Sequence, residues 1–367
     1  MKHILFLTWK DIKHPRAGGA ERVIFEYAVR LVQDGHRVTW FGSSFDGAVE
    51  SEIIEGIRII RKYSINTIYF LAWKWYKEFK KNNPVDIIID EAGGIPLISP
   101  LYEKHIPIYF FIHHIGDHEY KTAFPFPLNW MFIRFVFWTF SLYKHIPTIT
   151  VSNSTANELR EQHGFTNISV VENATHLVPI NAINWENKQK EIVFYGRLTP
   201  MKRADHAIRA FQILAQTDSE YHMNVIGNPQ DQEYTNELNL LVAELGIAHR
   251  VHFLGFSHDL VTKYLPRAQV MLVPSTKEGY GLIVLEGNSF GLPIIAYNVP
   301  GLRDSVRDGK NGILVSDGDY EAMGSKLVVL TSDRHALITI SESSLAFIKK
   351  FGGWDERYKE FKKIIKI

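Results

Sequence analysis

Two glutamates eight positions apart, Glu278 and Glu286, enclose a glycine-rich segment in "KEGYGLIVLE". Paired carboxylates can hydrolyse a glycosidic bond, but they must then lie about 5–9.5 Å apart around that bond. Eight residues of helix rise about 12 Å, so the spacing disfavours hydrolysis and favours two contacts along one extended ligand. The alternative is that Glu286 is an ordinary charge on the surface of a helix.

Two cations follow a neighbouring apolar run, in "IVFYGRLTPMKR". Gly196 permits close backbone approach, and Arg197 and Lys202 lie five positions apart in a loop that opens a helix. They can converge on an anion together with the amides of that helix N-terminus. The loop with Gly279 and Gly281 exposes amides in the same way. The alternative is that both cations are solvated.

The elements that position these residues are short apolar runs alternating with helical patterns. In the first half the runs "HILFLTW", "RVTWFGS", "DIIIDEAG", "IYFFIHH" and "TITVSNST" are bounded by polar residues or glycine. Such runs are typical of parallel strands buried on both faces of a sheet. "ERVIFEYAVRLVQDG" has helical spacing, and in "SNSTANEL" we expect Ser152 or Ser154 to cap a helix.

The alternation stops in the polar segment "LVPINAINWENKQK" and then restarts. Six further strands and three helices follow, the strands being "EIVFYGR", "HMNVIGN", "VHFLGF", "AQVMLVPS", "PIIAYN" and "GILV". We therefore predict an α/β protein with two Rossmann-like domains facing each other across a cleft, with ligands at the carboxyl ends of the strands. The predicted bounds are residues 1–177 and 191–345 for the domains, 178–190 for the linker, and 346–367 for a C-terminal helix that crosses back to the first domain.

Composition excludes several classes of function. A chain of 367 residues with 46% hydrophobic residues is long enough for two cores. The net charge of +1 does not favour a nucleic-acid partner, and the absence of cysteine excludes disulfides and thiolate zinc sites. The apolar stretch in "MKHILFLTW" is too short for a signal sequence, so we expect a cytoplasmic protein.

Two aromatic segments are compatible with peripheral membrane association on the inner face. "YFLAWKWYKEFKK" combines aromatic rings with lysines, and the apolar stretch 124–143 is interrupted by Pro, Asn and Arg, so it does not qualify as a transmembrane helix. Such segments can dock on an anionic bilayer. The alternative for the first is an amphipathic helix packed on its sheet. Its lysines are Lys74, Lys77, Lys80 and Lys81.

The ordered motifs "GRLTPMK", "VHFLGF", "EGYGLIVLE", "GLPIIAYNVPGLRD" and "DGKNGILV" resemble the donor-binding domain of GT-B glycosyltransferases of family 4. "HPRAGGAERVIFEYAVRLVQDGHRVTWF" is similar to that family's first strand, loop and helix, and the resemblance covers most of residues 1–320. It implies a retaining, metal-independent hexosyltransferase with no cofactor. The implied donor is a UDP- or GDP-sugar, and the implied acceptor, bound by the first domain, is a glycan or a lipid-linked molecule in surface polysaccharide or glycoconjugate synthesis.

The resemblance also implies roles for single residues. Arg197 and Lys202 match the pair that neutralises the donor diphosphate. Glu286 matches the carboxylate that accepts hydrogen bonds from the ribose, and Glu278 matches the carboxylate at the donor sugar. His113 stands where the family places a histidine near the transferred sugar. The other implied donor-binding residues are Gly18, Gly19, Gly196, Gly279, Tyr280, Gly281 and Leu282.

Two positions depart from the family's pattern. The usual Asn-Gly pair is Asn173-Ala174 in this chain, a departure that concerns the local geometry of that loop. Asp304 stands where glutamate is common. Neither departure removes an expected phosphate ligand.

Two groups resemble metal sites without satisfying the pattern of one. His113, His114 and His118 are close in sequence, but this spacing on a loop is weak support for a metal centre. "DGD" at residues 317–319 precedes a predicted helix, where a cap or turn is the better interpretation.

Two other functions remain open at this point. One is a sugar-nucleotide epimerase of the same fold, and the other is a non-catalytic subunit that binds a nucleotide or a glycan. A Rossmann dehydrogenase is disfavoured because no GxGxxG motif follows the first strand.

Overall fold

The computed structural model describes residues 1–116 and 125–367. The chain folds into two compact units. The first comprises Met1–Asn173 together with Trp354–Ile367, and the second comprises Ala174–Gly353. His118 and the start of the apolar stretch at Phe124 lie outside the described residues.

The segment predicted as a linker, residues 178–190, lies within the second unit. Ile180 donates a backbone hydrogen bond to the carbonyl of Ser289 at 2.9 Å. Ile183 lies directly against Gly291, where even one added methyl group would collide with it. The observed junction between the units is Asn173–Ala174, and these contacts are the reason that it precedes the predicted linker.

The first unit is built on an eight-stranded sheet with the order β3-β4-β2-β1-β5-β6-β7-β8, in which only β3 runs antiparallel to its neighbour. The unpredicted members are β3, β4 and β8. Strands β3 and β8 are short and incompletely buried, and β4 contains two arginines in five residues. The strands are β1 His3–Leu7, β2 Arg37–Gly42, β3 Ser51–Ile54, β4 Ile57–Arg61, β5 Ile87–Ala92, β6 Ile108–Ile112, β7 Thr148–Thr150 and β8 Ile168–Val170.

Helices cover both faces of this sheet. The Ser152 hydroxyl accepts a hydrogen bond from the Thr155 amide at 3.2 Å, which identifies Ser152 as the cap of its helix. The predicted helical spacing of the first helix is confirmed, since Val23, Tyr27 and Leu31 are buried on one face. The helices are α1 Gly19–Gln33, α2 Ile65–Asn82, α3 Leu128–Ser141 and α4 Asn153–His163.

The second unit has a six-stranded, fully parallel sheet with the order β11-β10-β9-β12-β13-β14. All six predicted strands are present as β9 Glu191–Tyr195, β10 His222–Ile226, β11 Val251–Gly255, β12 Val270–Val273, β13 Ile294–Tyr297 and β14 Gly312–Val315. The helices are α5 Ala204–Thr217, α6 Gln232–Glu244, α7 His258–Tyr264, α8 Leu282–Ser289, α9 Leu302–Ser305, α10 Tyr320–Ser332 and α11 Arg334–Phe351.

The C-terminal segment contains two helices where one was predicted. Helix α11 ends before Gly352, whose φ of 87° favours glycine and breaks the helix. Helix α12, Trp354–Ile365, belongs to the first unit. Its Phe361 ring stacks on Tyr27 at 4.3 Å, and its Tyr358 hydroxyl donates to Asp34 at 2.9 Å. The predicted return of the C-terminal helix to the first domain is therefore confirmed.

Two Rossmann-like sheets confirm the predicted fold class. Within the described ranges, no helix combines the length and the apolar character needed to cross a bilayer.

Candidate functional site

Two loops run side by side at the carboxyl edge of the second sheet. One follows β9 and carries Lys202, and the other follows β12 and carries Glu278. They are neighbours because β9 and β12 pair in the sheet. The Thr276 amide donates to the Met201 carbonyl at 3.0 Å, which joins the two loops directly.

Lys202 and Glu278 form an ion pair between these loops. The Ser275 hydroxyl donates to the same carboxylate oxygen at 2.8 Å. Both charged side chains are only about one-eighth exposed, at 12% and 13%, so water screens the pair less than it would at an open surface. The cation expected at the diphosphate and the carboxylate expected at the sugar are therefore direct neighbours.

Arg197 has a different partner. It is exposed, and its guanidinium donates to the Gln230 side chain at 3.3 Å. Gln230 lies in the loop after β10, on the other side of β9. The structure thus places the two predicted cations in one loop and gives their side chains separate contacts.

Gly227, which is not among the predicted site residues, shapes the loop that carries Arg197. The Gly196 amide donates to Ile226 and the Leu198 amide donates to Asn228, so the loops after β9 and β10 continue the pairing of their strands. A Cβ atom at position 227 would lie 1.8 Å from the Gly196 carbonyl oxygen. Only glycine permits this approach, and the glycine that ends "HMNVIG" was its sequence signal.

Helix α8 begins at Leu282, two residues later than the predicted start near Tyr280. Its cap is Gly281, with φ of 84°, and a Cβ atom there would lie 3.0 Å from the Leu302 side chain. The Tyr280 ring is buried near Phe351, so the groups that Tyr280 can offer a ligand are those of its backbone. Because Glu278 lies outside the helix, the 12 Å estimate for the two glutamates does not apply.

Gly301 supports the backbone of Glu278. The Glu278 amide donates to the Pro300 carbonyl at 3.0 Å, and a Cβ atom on Gly301 would lie 2.1 Å from the Glu278 carbonyl oxygen. The Asp304 carboxylate accepts a hydrogen bond from the Gly301 amide at 3.2 Å. Aspartate at position 304 therefore holds the turn against which Glu278 lies.

Glu286 is buried, which rules out the interpretation as a surface charge. The Tyr195 hydroxyl hydrogen-bonds to its carboxylate, and burial together with that carboxylate raises the pKa of Tyr195. His176 Nδ1 lies 3.8 Å from Glu286 Oε1. Tyr195 and His176 were missed because nothing local in their sequence shows that they meet the middle of a later helix.

The predicted site residues of the first unit are Gly18, Gly19 and His113. The Gly18 amide donates to the Glu21 carboxylate at 2.7 Å, so this amide already has a partner at the N-terminus of α1. His113 follows β6 and is 5% exposed, and its carbonyl accepts a hydrogen bond from Thr155 at 3.3 Å. Burial, with the positive charges of His114 and Lys10, lowers the pKa of His113 to about 3, so the imidazole is neutral.

Asp317 and Asp319 have structural partners. The Asp319 carboxylate accepts from the Ala322 amide at 2.8 Å and caps α10, which confirms the cap interpretation. Asp317 pairs with Arg203 at 2.5 Å. In the part of the chain that the structure describes, no three His, Asp or Glu side chains are grouped so that they could hold a metal ion.

The profiles of two known protein families match this chain. The profile described as Glycosyltransferase Family 4 matches residues 17–177, and the profile described as Glycosyl transferases group 1 matches residues 180–345. The chain belongs to the group 1 glycosyltransferases of family 4. The predicted resemblance is confirmed, and the predicted class of enzyme, a glycosyltransferase that uses a nucleotide-sugar donor, is confirmed with it.

Relatives of this glycosyltransferase extend over its whole length. An uncharacterised glycosyltransferase of Haemophilus influenzae is 27% identical over 92% of this chain and 93% of its own. Sucrose-phosphate synthase from Thermosynechococcus elongatus is 17% identical, with a TM-score of 0.83 over 100% of this chain and 98% of its own. Anabaena HepE, solved with UDP-glucose, is 19% identical, with a TM-score of 0.77 over 100% of both chains. These two structures show the shared GT-B fold.

Proposed function

We propose that this glycosyltransferase moves a hexose from a nucleotide-diphosphate sugar to a glycan or lipid-linked acceptor, with retention of anomeric configuration, in surface polysaccharide or glycoconjugate synthesis. The observation that carries the proposal is the Lys202–Glu278 pair at the carboxyl edge of the second sheet, with the buried carboxylate of Glu286 on the adjoining helix. A UDP-glucose complex of a protein with the same fold supports a UDP-sugar donor, and a GDP-sugar is the second choice.

Departure of the nucleoside diphosphate is the step that these residues assist. As the glycosidic bond of the donor breaks, negative charge accumulates on the leaving phosphate. Lys202, Arg197 and the amides at the N-terminus of α8 offer positive charge and hydrogen-bond donors to it. In this mechanism the charge is stabilised by the protein's own groups, without a metal ion.

The two glutamates orient the donor. Glu278 is held by Lys202 and by Ser275, so a hydroxyl of the sugar meets a carboxylate of fixed direction. Lys202 then contacts the phosphate on one side and Glu278 on the other. Glu286, fixed by Tyr195, accepts hydrogen bonds from the ribose hydroxyls.

Backbone groups complete the proposed donor site. In the second unit they belong to Gly196, Gly279, Tyr280, Gly281 and Leu282. In the first unit, Gly18 and Gly19 are proposed near the diphosphate, and His113 is proposed near the transferred sugar.

Exposed apolar side chains on the first unit support the proposal of a lipid-linked acceptor. Helix α2 packs against Ile88 and α3 against Ala92. These residues are four positions apart on β5, so their side chains lie on the same face of the sheet, and both helices cover that face. Their outer sides expose aromatic side chains, and Lys74 and Lys77 on α2 are exposed beside them. We therefore propose a cytoplasmic enzyme that docks on an anionic inner membrane face. The exposed apolar residues are Phe70, Trp73, Trp130, Met131, Phe135 and Trp138.

The proposed function is tested in two stages. Thermal-shift screening with UDP, GDP and their sugars should raise the melting temperature for one nucleotide family, because a ligand that binds the native state stabilises it. The donor so found is then incubated with radiolabelled sugar and with membrane lipid or glycan extracts. Labelled acceptor supports the proposal. Isomerised donor without acceptor would indicate an epimerase, and binding without any turnover would indicate a non-catalytic subunit.

A further inference from the structure

Two buried side chains face each other at the carboxyl edge of the first sheet. Glu91 lies near the end of β5, and His113 follows the neighbouring strand β6. The register pairs Glu91 with Phe111, so His113, two residues further, projects on the same face as Phe111. Glu91 Oε1 and His113 Nε2 are 3.7 Å apart.

Neither of these atoms has a hydrogen-bond partner within the described ranges, and both are inaccessible to solvent. The side chains of Glu91 and His113 are 3% and 6% exposed. An unsatisfied buried oxygen or ring nitrogen costs about 1–3 kcal/mol, so two such atoms in one place require an explanation. A direct bond between them would satisfy both.

Burial and the surrounding charges favour a protonated Glu91 carboxyl group beside a neutral His113 ring. Burial raises the pKa of Glu91 well above its usual value, the negative charge of Glu21 and that of Asp90 raise it further, and Lys10 opposes them. Lys10 is itself paired with Glu21 at 2.9 Å, which limits its effect. The His113 pKa is lowered by burial and by the charges of His114 and Lys10. Glu91 is therefore the group that carries the proton.

We propose that Glu91 is a positioning residue for glycosyl transfer, which donates a hydrogen bond to His113 Nε2 and so fixes the imidazole as its Nδ1–H tautomer. This inference deepens the proposed function, because it rests on His113 contacting the transferred sugar. A carboxyl hydrogen bond requires the two atoms to approach by about 0.8 Å, and active-site hydrogen bonds commonly shorten when the substrate binds. The bond made by one ring nitrogen determines which nitrogen carries the proton, so Glu91 determines what the ring presents to the sugar.

Neighbouring contacts hold this pair in place. The Trp9 indole donates to the Gly93 carbonyl at 3.0 Å, and a Cβ atom at Gly93 would lie 3.4 Å from Glu91 Oε1. The Thr155 hydroxyl holds the backbone of His113 from the other side. The Phe111 ring lies 4.8 Å from the His113 ring, and in the proposal the Glu91 carboxyl group fixes which ring nitrogen accepts.

The direct test reads the tautomer of His113 by long-range ¹H–¹⁵N NMR in the full-length protein with ¹⁵N-labelled histidine. The His113→Asn variant identifies the resonances. In the wild type and in Glu91→Gln, whose amide can still donate, His113 should be the Nδ1–H tautomer. In Glu91→Leu, which has similar volume and no donor, the Nε2–H form should appear. An unchanged tautomer in Glu91→Leu would overturn the proposal.

Kinetics provide the second readout. Glu91→Leu should lower kcat about 10- to 100-fold with donor KM within about twofold, and Glu91→Gln should recover most of kcat. Because Glu91 acts while protonated, wild-type kcat should fall as pH rises through its raised pKa, and Glu91→Gln should lack that alkaline decline. Equal loss in both variants would overturn the proposal.

A matched control separates this role from simple destabilisation. Glu103 is an equally buried carboxylate of the same unit, bonded to Tyr76 and Lys80. Glu103→Gln should lower thermal stability and leave the pH profile of kcat unchanged. If the wild type shows no transfer with any donor, the proposed function fails, whereas the NMR result still decides the pairing of Glu91 with His113.

Discussion

Lys202 and Glu278 are ion-paired across two loops that follow adjacent strands of the second sheet. The resemblance to the family assigned them to different parts of one donor, the diphosphate and the sugar. In the proposed donor site, their direct contact means that the donor meets a lysine already oriented by a carboxylate. Ligand phosphate and Glu278 can then share the ammonium group, which has three donors.

Removal of the Lys202 ammonium should reduce catalysis more than it reduces stability. Lys202→Ala should lower kcat about 10²- to 10³-fold, because one preorganised donor to developing charge contributes about that much. The thermal midpoint should fall moderately, because Glu278 loses its charge partner in a site that is only about one-eighth exposed. Lys326→Ala, on the exposed face of α10, is the matched control and should leave turnover unchanged. Near-wild-type rates for Lys202→Ala in the transfer assay would eliminate its proposed role.

Glu286 should discriminate a ribose from a deoxyribose. Wild-type protein should bind the nucleotide about 10- to 100-fold more tightly than its 2′,3′-dideoxy analogue. Glu286→Ala should raise the donor KM and bind the two nucleotides with similar affinity. Tyr195→Phe should have a smaller effect in the same direction, since it removes the hydrogen bond that orients the carboxylate. Calorimetric titration measures the affinity of each variant for the nucleotide and for the dideoxy analogue. Glu321→Ala, an exposed residue on α10, is the control. If Glu286→Ala retains the wild-type preference, the carboxylate does not contact the ribose.

Gly227→Ala should weaken nucleotide binding through the backbone. The added methyl would lie 1.8 Å from the Gly196 carbonyl oxygen and would force the loop after β9 away. The free energy of unfolding should fall by about 1–3 kcal/mol. Gly309→Ala supplies the comparison: it introduces strain at φ of 72° with open space around the Cβ, so it should cost stability without changing nucleotide affinity. Equal affinities in both variants would contradict the proposed role of this loop.

Membrane docking should depend on the exposed rings of α3. Trp130→Ser with Trp138→Ser should abolish flotation with vesicles of phosphatidylglycerol and phosphatidylethanolamine at low salt, because burial of apolar side chains drives interfacial binding. Lys74→Gln with Lys77→Gln should increase the sensitivity of binding to salt. Leu240→Ser, an exposed apolar residue on α6, is the control. Absence of wild-type binding at low salt would refute the docking surface.

Acid stability should depend on Glu103. Burial opposes its ionisation, but Lys80, the His105 amide and Tyr76 outweigh burial and lower its pKa to about 2. A lowered pKa in the folded state stabilises the protein above the unfolded pKa, and this stabilisation is lost as pH falls from about 4.5 toward 2. The difference in unfolding free energy between the wild type and Glu103→Gln should therefore shrink over that range. A difference that stays constant with pH would show that Glu103 is not ionised selectively in the folded state.

Much of the fold was predictable because it depends on local patterns. The six strands of the second unit are largely apolar runs, and Ser152 occupies the N-cap position before its helix. The hairpin β3–β4 was missed, since β3 is short and alternately exposed at the sheet edge. The segment predicted as one C-terminal helix contains two, because Gly352 adopts a positive φ that ends the first of them.

The sequence by itself determined the family of the protein and nominated the residues of its proposed donor motif, because those residues lie close together in the sequence and their order is specific. Tertiary structure decided the contacts: Lys202 with Glu278, Tyr195 with the buried Glu286, and Glu91 with His113. Each pair is brought together by parallel strand pairing or by a helix returning over a sheet. Residues far apart along the chain then share one edge, and no local pattern records which of them will meet.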